Sequence, residues 1–243
     1  MNELLLLSGN DIPFYSAKVN IRQPKIKEIA LIGEENFFVG CHLLNFSKDL
    51  LKEEDKVSLS DLHDFDILMS ILHEKQAEIS RLNVLMLLTL MFPEHKVKID
   101  PAKGIILNKE NEESIINKEN YEEFRNFIRD MYRLDKLKGD DYKPANKRAE
   151  EIMEKMRKGR EKVAAAKGET GAGSIFSRYI SILAVGLHME IQSLLEHTVY
   201  QIYNLFDRFN AYQNFDINLR ARMAGAEGLD DAPNWMGDLK SIK

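Results

Sequence analysis

Cysteine is almost missing from these 243 residues: Cys41 stands alone, so no intrachain disulfide can form and the fold must hold without covalent staples. Its setting, Phe37-Phe38-Val39-Gly40-Cys41, makes it a buried small hydrophobe rather than a reactive thiol and fits a reducing compartment. Proline is also scarce, with six residues, which leaves room for long uninterrupted helices. Long hydrophobic runs are lacking. The greasiest stretches, 82–92 and 179–187, fall short of the ~20 apolar residues that span a bilayer, so they read as core helices. The start, Met1-Asn2-Glu3, lacks the positive charge of a secretory leader, and the leucines at 4–7 are too few for its apolar core. Nor is there an excess of positive charge. A net charge of −5 argues against nonspecific nucleic-acid binding by the chain as a whole. What is present is ordinary for a folded protein: 44% hydrophobic residues, too many for wholesale disorder.

The pattern predicts a mainly α protein, a helical body with a small β element and a helical C-terminal region. Leucines 4–7 read as a short strand, Ser8-Gly9-Asn10-Asp11 as a turn, and 17–22 as a second strand with alternating apolar residues. Pro24 suits a first helical turn, and Ile26, Ile29, Phe37, Cys41 and Leu44 keep helical spacing, with Gly33 dividing the run. Helices are expected over 61–74, with Ser60 or Asp61 as cap, and over 79–92, closed by Pro93. The second is apolar on most faces and should lie centrally. Apolar runs at 97–99 and 105–107 flank Asp100-Pro101-Ala102-Lys103-Gly104, which predicts a hairpin that could complete a sheet with the N-terminal strands. Residues 119–133 return to helix, with Tyr121, Phe124, Phe127, Ile128 and Met131 on one side.

A boundary follows near residue 136, dividing the chain into 1–136, a linker region 137–174, and 175–243. Residues 143–167 hold nine Lys/Arg against four Glu, and few large apolar groups. Lys155, Arg157, Lys158, Arg160 and Lys162 form a basic patch that could meet phosphate, but Glu151 and Glu154 stand four residues before Lys155 and Lys158 and can pair with them along a helix. A solvated linker helix is the preferred reading. Gly168 to Ser174 supplies a joint: a phosphate loop would need lysine where Gly173 stands.

No catalytic set emerges. His188, Glu190, Glu196 and His197 cluster without any zinc-type spacing, and the histidines, His63 and His73 included, are expected at the surface or at helix caps. Carboxylate pairs such as Glu53-Glu54 and Asp140-Asp141 sit in polar stretches where solvation explains them. The chain is therefore read as non-enzymatic, with no cofactor and no metal.

The C-terminal segment is the most informative. Tyr200, Tyr203, Phe206, Phe209, Tyr212 and Phe215 recur every third residue, so successive rings slip back by ~60° around a helix and Tyr200 and Phe209 face opposite ways. With Val199, Ile202 and Leu205 the apolar arc exceeds half the circumference, wider than a surface helix needs. Either the helix is buried between others or one aromatic side is offered to a partner. Trp235, the sole tryptophan, either folds back onto the body or anchors a docking contact. Tyr200, Tyr203, Phe206, Phe209, Tyr212 and Trp235 are the candidate partner-binding residues.

The succession Thr198-Val199-Tyr200-Gln201-Ile202-Tyr203-Asn204-Leu205-Phe206-Asp207-Arg208, then Arg220-Ala221-Arg222-Met223-Ala224-Gly225-Ala226 and Asn234-Trp235-Met236, resembles tail-assembly chaperones of phages and prophages of Gram-positive bacteria. Ile26-Lys27-Glu28-Ile29-Ala30, Gly33-Glu34, Phe37-Phe38 and the basic stretch before the glycine joint are similar too. The resemblance implies a protein of the host cytoplasm that binds the tape measure protein and tail tube subunits during morphogenesis. Apolar-run length and charge lead to an expectation of no membrane partner and disfavour nucleic acid, and a homo-oligomer is an open option. The alternatives are a structural virion protein at the head–tail junction or tail end, and a nucleic-acid-binding regulator using the basic patch.

Overall fold

Four leucines in a row open the chain as a helix, not as the expected strand. In the computed structural model, which describes residues 2–48, 61–74, 76–110, 112–134, 173–226 and 235–237, α1 spans Glu3–Ser8. Asn2 caps it by accepting the Leu4 N–H, and Gly9 ends it at φ 69 with its N–H on the Leu6 carbonyl. Leucine runs carry no period of two, and leucine is a strong helix former, so the caps decide. The second expected strand exists as β2 (Val19–Ile21), but its partner is β1 (Ile12–Phe14). The pair is antiparallel, with Ile12 opposite Ile21 and Phe14 opposite Val19, and these four side chains face the core.

Gly33 divides the next run as expected: α2 is Ile26–Ile32 and α3 is Glu34–Leu44. The following helix, α4 (Asp64–His73), starts later than expected. Its cap is His63, whose Nδ1 accepts the Phe65 N–H, rather than Asp61; Ser60 lies outside the described residues. Helix α5 (Glu78–Met91) stops before Pro93. Its Val84, Leu87, Leu88 and Met91 are wholly buried, whereas Ile79 and Leu82 in its first turns are exposed, so only its C-terminal part is central. It packs on α3, where a Cβ on Gly40 would stand only 3.0 Å from the Asn83 carbonyl.

The predicted hairpin forms from β3 (Lys96–Asp100) and β4 (Gly104–Lys109), with the Asp100 carboxylate accepting the Ala102 and Lys103 amides in the turn. A third strand, β5 (Glu112–Ile116), extends it to a meander of order β3-β4-β5. This sheet does not join β1 and β2, which form a separate two-stranded sheet. Helix α6 (Tyr121–Tyr132) then buries Tyr121, Phe124, Ile128 and Met131, and the Tyr121 hydroxyl donates to the carbonyls of Leu44 or Phe46, 3.2 Å from each. Cys41 is completely buried, and burial pushes its thiol pKa up.

Three further helices follow among the described residues: α7 (Ile175–Leu187), α8 (Ile191–Leu195) and α9 (Val199–Met223). The protein is thus mainly α, with two small antiparallel sheets among the described residues. The last helices share one core with the first 134 residues. Phe176 of α7 stacks on Phe38 of α3, Phe37 meets Tyr132, and Tyr203 of α9 closes against Phe176. The polar seams are equally specific. Glu34 accepts the Ile175 amide at 2.7 Å, the Ile26 amide donates to the His197 carbonyl at 2.9 Å, and the Gln201 side chain donates to the Leu7 carbonyl at 2.8 Å. The expected linker helix over 143–167 and most of the glycine joint lie outside the described residues; Ser174, at the joint's end, caps α7 by accepting the Ser177 amide.

Candidate interaction surface on the C-terminal helices

Helix α9 is 25 residues long, about 37 Å at 1.5 Å per residue. Thr198 and Gln201 start it with a reciprocal capping box. Its first two turns enter the core between α1 and α6. Tyr200 and Tyr203 are each only 7% exposed, so both are core groups rather than a free face. Tyr200 is also held from both sides: its hydroxyl donates to Glu3 at 3.0 Å, and the Arg133 guanidinium lies 5.7 Å from its ring centre. Desolvation, helped by the Glu3 carboxylate, pushes the Tyr200 phenol up to about 12. Arg133 also pairs with Asp207 at 2.7 Å, which ties the end of α6 to the third turn of α9.

Further along, the aromatic series emerges. Phe206 lies flat on Tyr179 of α7, ring centres 3.9 Å apart, and is half-buried. Phe209 lies over Gly186 of α7, and a Cβ there would come within 2.3 Å of its ring. After Ala211, the last fully buried residue of α9, the helix carries exposed apolar groups: Tyr212, Ile217, Leu219 and Met223. Phe215 is half-buried.

Trp235 folds back onto the body, the first of its two expected fates. Its ring meets Tyr212 edge-on with centres 5.3 Å apart, and Arg208 donates to the carbonyls of Trp235 and Gly237 at 2.5 and 2.7 Å. Of the six candidate aromatic residues, the structure therefore gathers Phe206, Phe209, Tyr212 and Trp235 along one side of α9, and places Tyr200 and Tyr203 inside. Lys155, Arg157, Lys158, Arg160 and Lys162 lie outside the described residues.

The aromatic reading missed the aliphatic half of this surface. Ile182, Val185 and Gly186 of α7 join Phe209 around a shallow depression of about 410 Å³ with almost no polar lining. Val185 is 78% exposed, and Leu187 and Ile191 at the α7–α8 corner are also exposed. A glycine inside the apolar run 179–187 was the available signal, because a glycine within a helix often marks close packing. A second cleft, about 440 Å³, separates α2 from α7 and α8 and is lined by Ile29, Ala30, Phe176, Ile180 and Leu195, with Glu34 and Ser174 at its rim.

His63 caps α4, and the ring nitrogens of His73 and His197 contact carbonyls one turn back. His95 departs from the expectation of a surface or capping group: its ring meets Phe92 edge-on, its Nδ1 is buried, and desolvation lowers its pKa. Among the described residues no cluster of His, Cys, Asp or Glu could hold a metal ion, and no helix is long and apolar enough to cross a membrane.

A family model described as the YomV second domain matches residues 174–240. The match starts on the α7 cap and takes in α7, α8, α9 and the Trp235 turn, the elements that carry the exposed surface. This relates the C-terminal helices to a phage-associated family. No curated protein and no solved structure gives a significant match.

Proposed function

We propose that this chain is a phage tail-assembly chaperone, a non-enzymatic protein of the host cytoplasm that holds tail tube subunits or the tape measure protein on its C-terminal helices during morphogenesis. The observation that carries the reading is the coincidence of two features. The region matched by a phage-associated domain exposes large apolar groups on all three of its helices: Val185, Leu187, Ile191, Tyr212, Leu219 and Met223. Exposed apolar groups of this kind, on helices whose other sides are seated in the core, are what a protein that must bind folded or folding partners needs. The residue-level resemblance of 198–208 and 220–226 to tail-assembly chaperones supplies the partner class.

Co-expression with the tail tube and tape measure proteins of the same phage tests this. Capture by the intact chain, and its loss in a Val185→Ser/Leu219→Ser variant that still melts like the wild type, are expected. Undiminished capture by that variant overturns the surface assignment. Recovery of the chain in stoichiometric amounts from purified particles overturns the chaperone role in favour of a structural virion protein.

A further inference from the structure

The Trp235 turn sits in a site with a chemistry of its own. Arg208 and Tyr212 are four residues apart on α9 and so share a face. Tyr212 offers its ring to the edge contact with Trp235, and the Arg208 guanidinium, through Nη1, grips two carbonyls, those of Trp235 and Gly237. The pair thus reads an aromatic side chain together with the main-chain oxygens of its own residue and of the glycine two positions on. Arginine suits this because its donors project in a fixed plane.

We propose that Arg208 and Tyr212 form a binding site for an aromatic-x-glycine turn, filled in the free protein by the chain's own Trp235-Met236-Gly237 and in a complex by a turn of the same chemistry from a protein partner. The proposal deepens the reading of the C-terminal helices as an interaction surface and rests on it. The internal turn is a light occupant. Trp235 is only half-buried, Met236 is 74% exposed, and the turn leaves Leu219 and Met223 uncovered. Those two residues stand seven and eleven positions after Tyr212, on the same face of the helix. A partner that presents the turn and continues along α9 covers them as well, and this extra contact lets it displace a tethered competitor. The internal turn meanwhile shields the site from weak aromatic binders.

The sole tryptophan makes the test clean. The full-length Trp235→Ala chain contains no indole. The probe is a fluorescein-labelled synthetic peptide of residues 231–240, Asp-Ala-Pro-Asn-Trp-Met-Gly-Asp-Leu-Lys. Saturable binding to the Trp235→Ala chain, read by anisotropy and by a blue shift of the peptide's tryptophan emission, is expected. Binding to the wild type should be weaker by about tenfold or more, because the tethered turn competes at high effective concentration. Adding Arg208→Ala or, separately, Tyr212→Ala to the Trp235→Ala chain should abolish binding while the circular-dichroism melt stays cooperative. Absence of saturable binding to the Trp235→Ala chain overturns the proposal. So does equal affinity with and without Arg208. The assay contains no tail protein, so its failure is separable from a failure of the chaperone reading.

Discussion

The ring of Phe209 occupies the space that a side chain on Gly186 would need: a Cβ at 186 would lie 2.3 Å from Cζ and 2.6 Å from Cε2 of that ring. This contact sets how closely α9 approaches α7, and with it the shape of the apolar depression between them. Gly186→Ala is expected to force the ring aside and to destabilise the protein by about 1–3 kcal/mol, the usual cost of overpacking. Urea titration measures it. Gly173→Ala is the control, since nothing lies within 4 Å of a Cβ there and its midpoint should not move.

Glu34 belongs to α3 yet caps α7. Its carboxylate accepts the Ile175 amide at 2.7 Å and the Phe176 amide at 3.4 Å, and it also bonds the Ser174 hydroxyl. Negative charge is favoured at a helix N-terminus, and these amides have no partner inside the helix. Glu34→Ala should cost about 1–2 kcal/mol, in the range of a lost cap. Hydrogen exchange gives the local signature: the Ile175 and Phe176 amides should exchange faster, while the Ser177 amide stays protected by Ser174.

Much of the helical framework was legible because its boundaries carry local chemistry. Gly33 parts α2 from α3, Pro93 limits α5, and the turn from Asp100 to Gly104 joins β3 to β4. The elements that escaped lack such marks. Pro13 hides β1, since proline removes a ladder donor. Glu112 and Glu113 make β5 look like loop, yet only Ile116 and its half-buried neighbours need to face inward. The aromatic spacing of α9 marked a helix with rings on several sides but not which of those rings are covered. Which ring is covered depends on α1 and α6, more than 60 residues away in sequence, and no pattern within α9 encodes their position.

Acid should loosen the contact between α8 and α2. Hydrogen bonds from Lys25 and Lys27, at 2.7 and 2.5 Å, hold the Glu196 carboxyl near a pKa of about 2, down from its ordinary 4.5. A depressed carboxylate contributes its stabilisation in full above the unfolded value, and loses it as pH falls from 4.5 toward 2. Melting temperatures across that window should fall more steeply for the wild type than for Glu196→Gln. The difference should shrink in high salt, because the pair is exposed and screened.

Tyr200 and Tyr212 share a helix and a residue type, so they separate packing from recognition. Tyr200 is buried, bonded to Glu3 and covered by Arg133. Tyr200→Ala should therefore cost about 3–5 kcal/mol, as truncation of a large buried ring does. Tyr212 is 44% exposed and touches only the edge of Trp235 among the ring contacts of the described residues. Tyr212→Ala should change stability by about 0.5 kcal/mol or less, the range of surface substitutions. Capture of tail proteins should respond in the opposite order once folding is accounted for: weakened by Tyr212→Ala, and retained by Tyr200→Phe, which keeps the buried ring. Equal capture by the Tyr212→Ala variant and the wild type would move the partner face off α9, toward Val185, Leu187 and Ile191 at the α7–α8 corner.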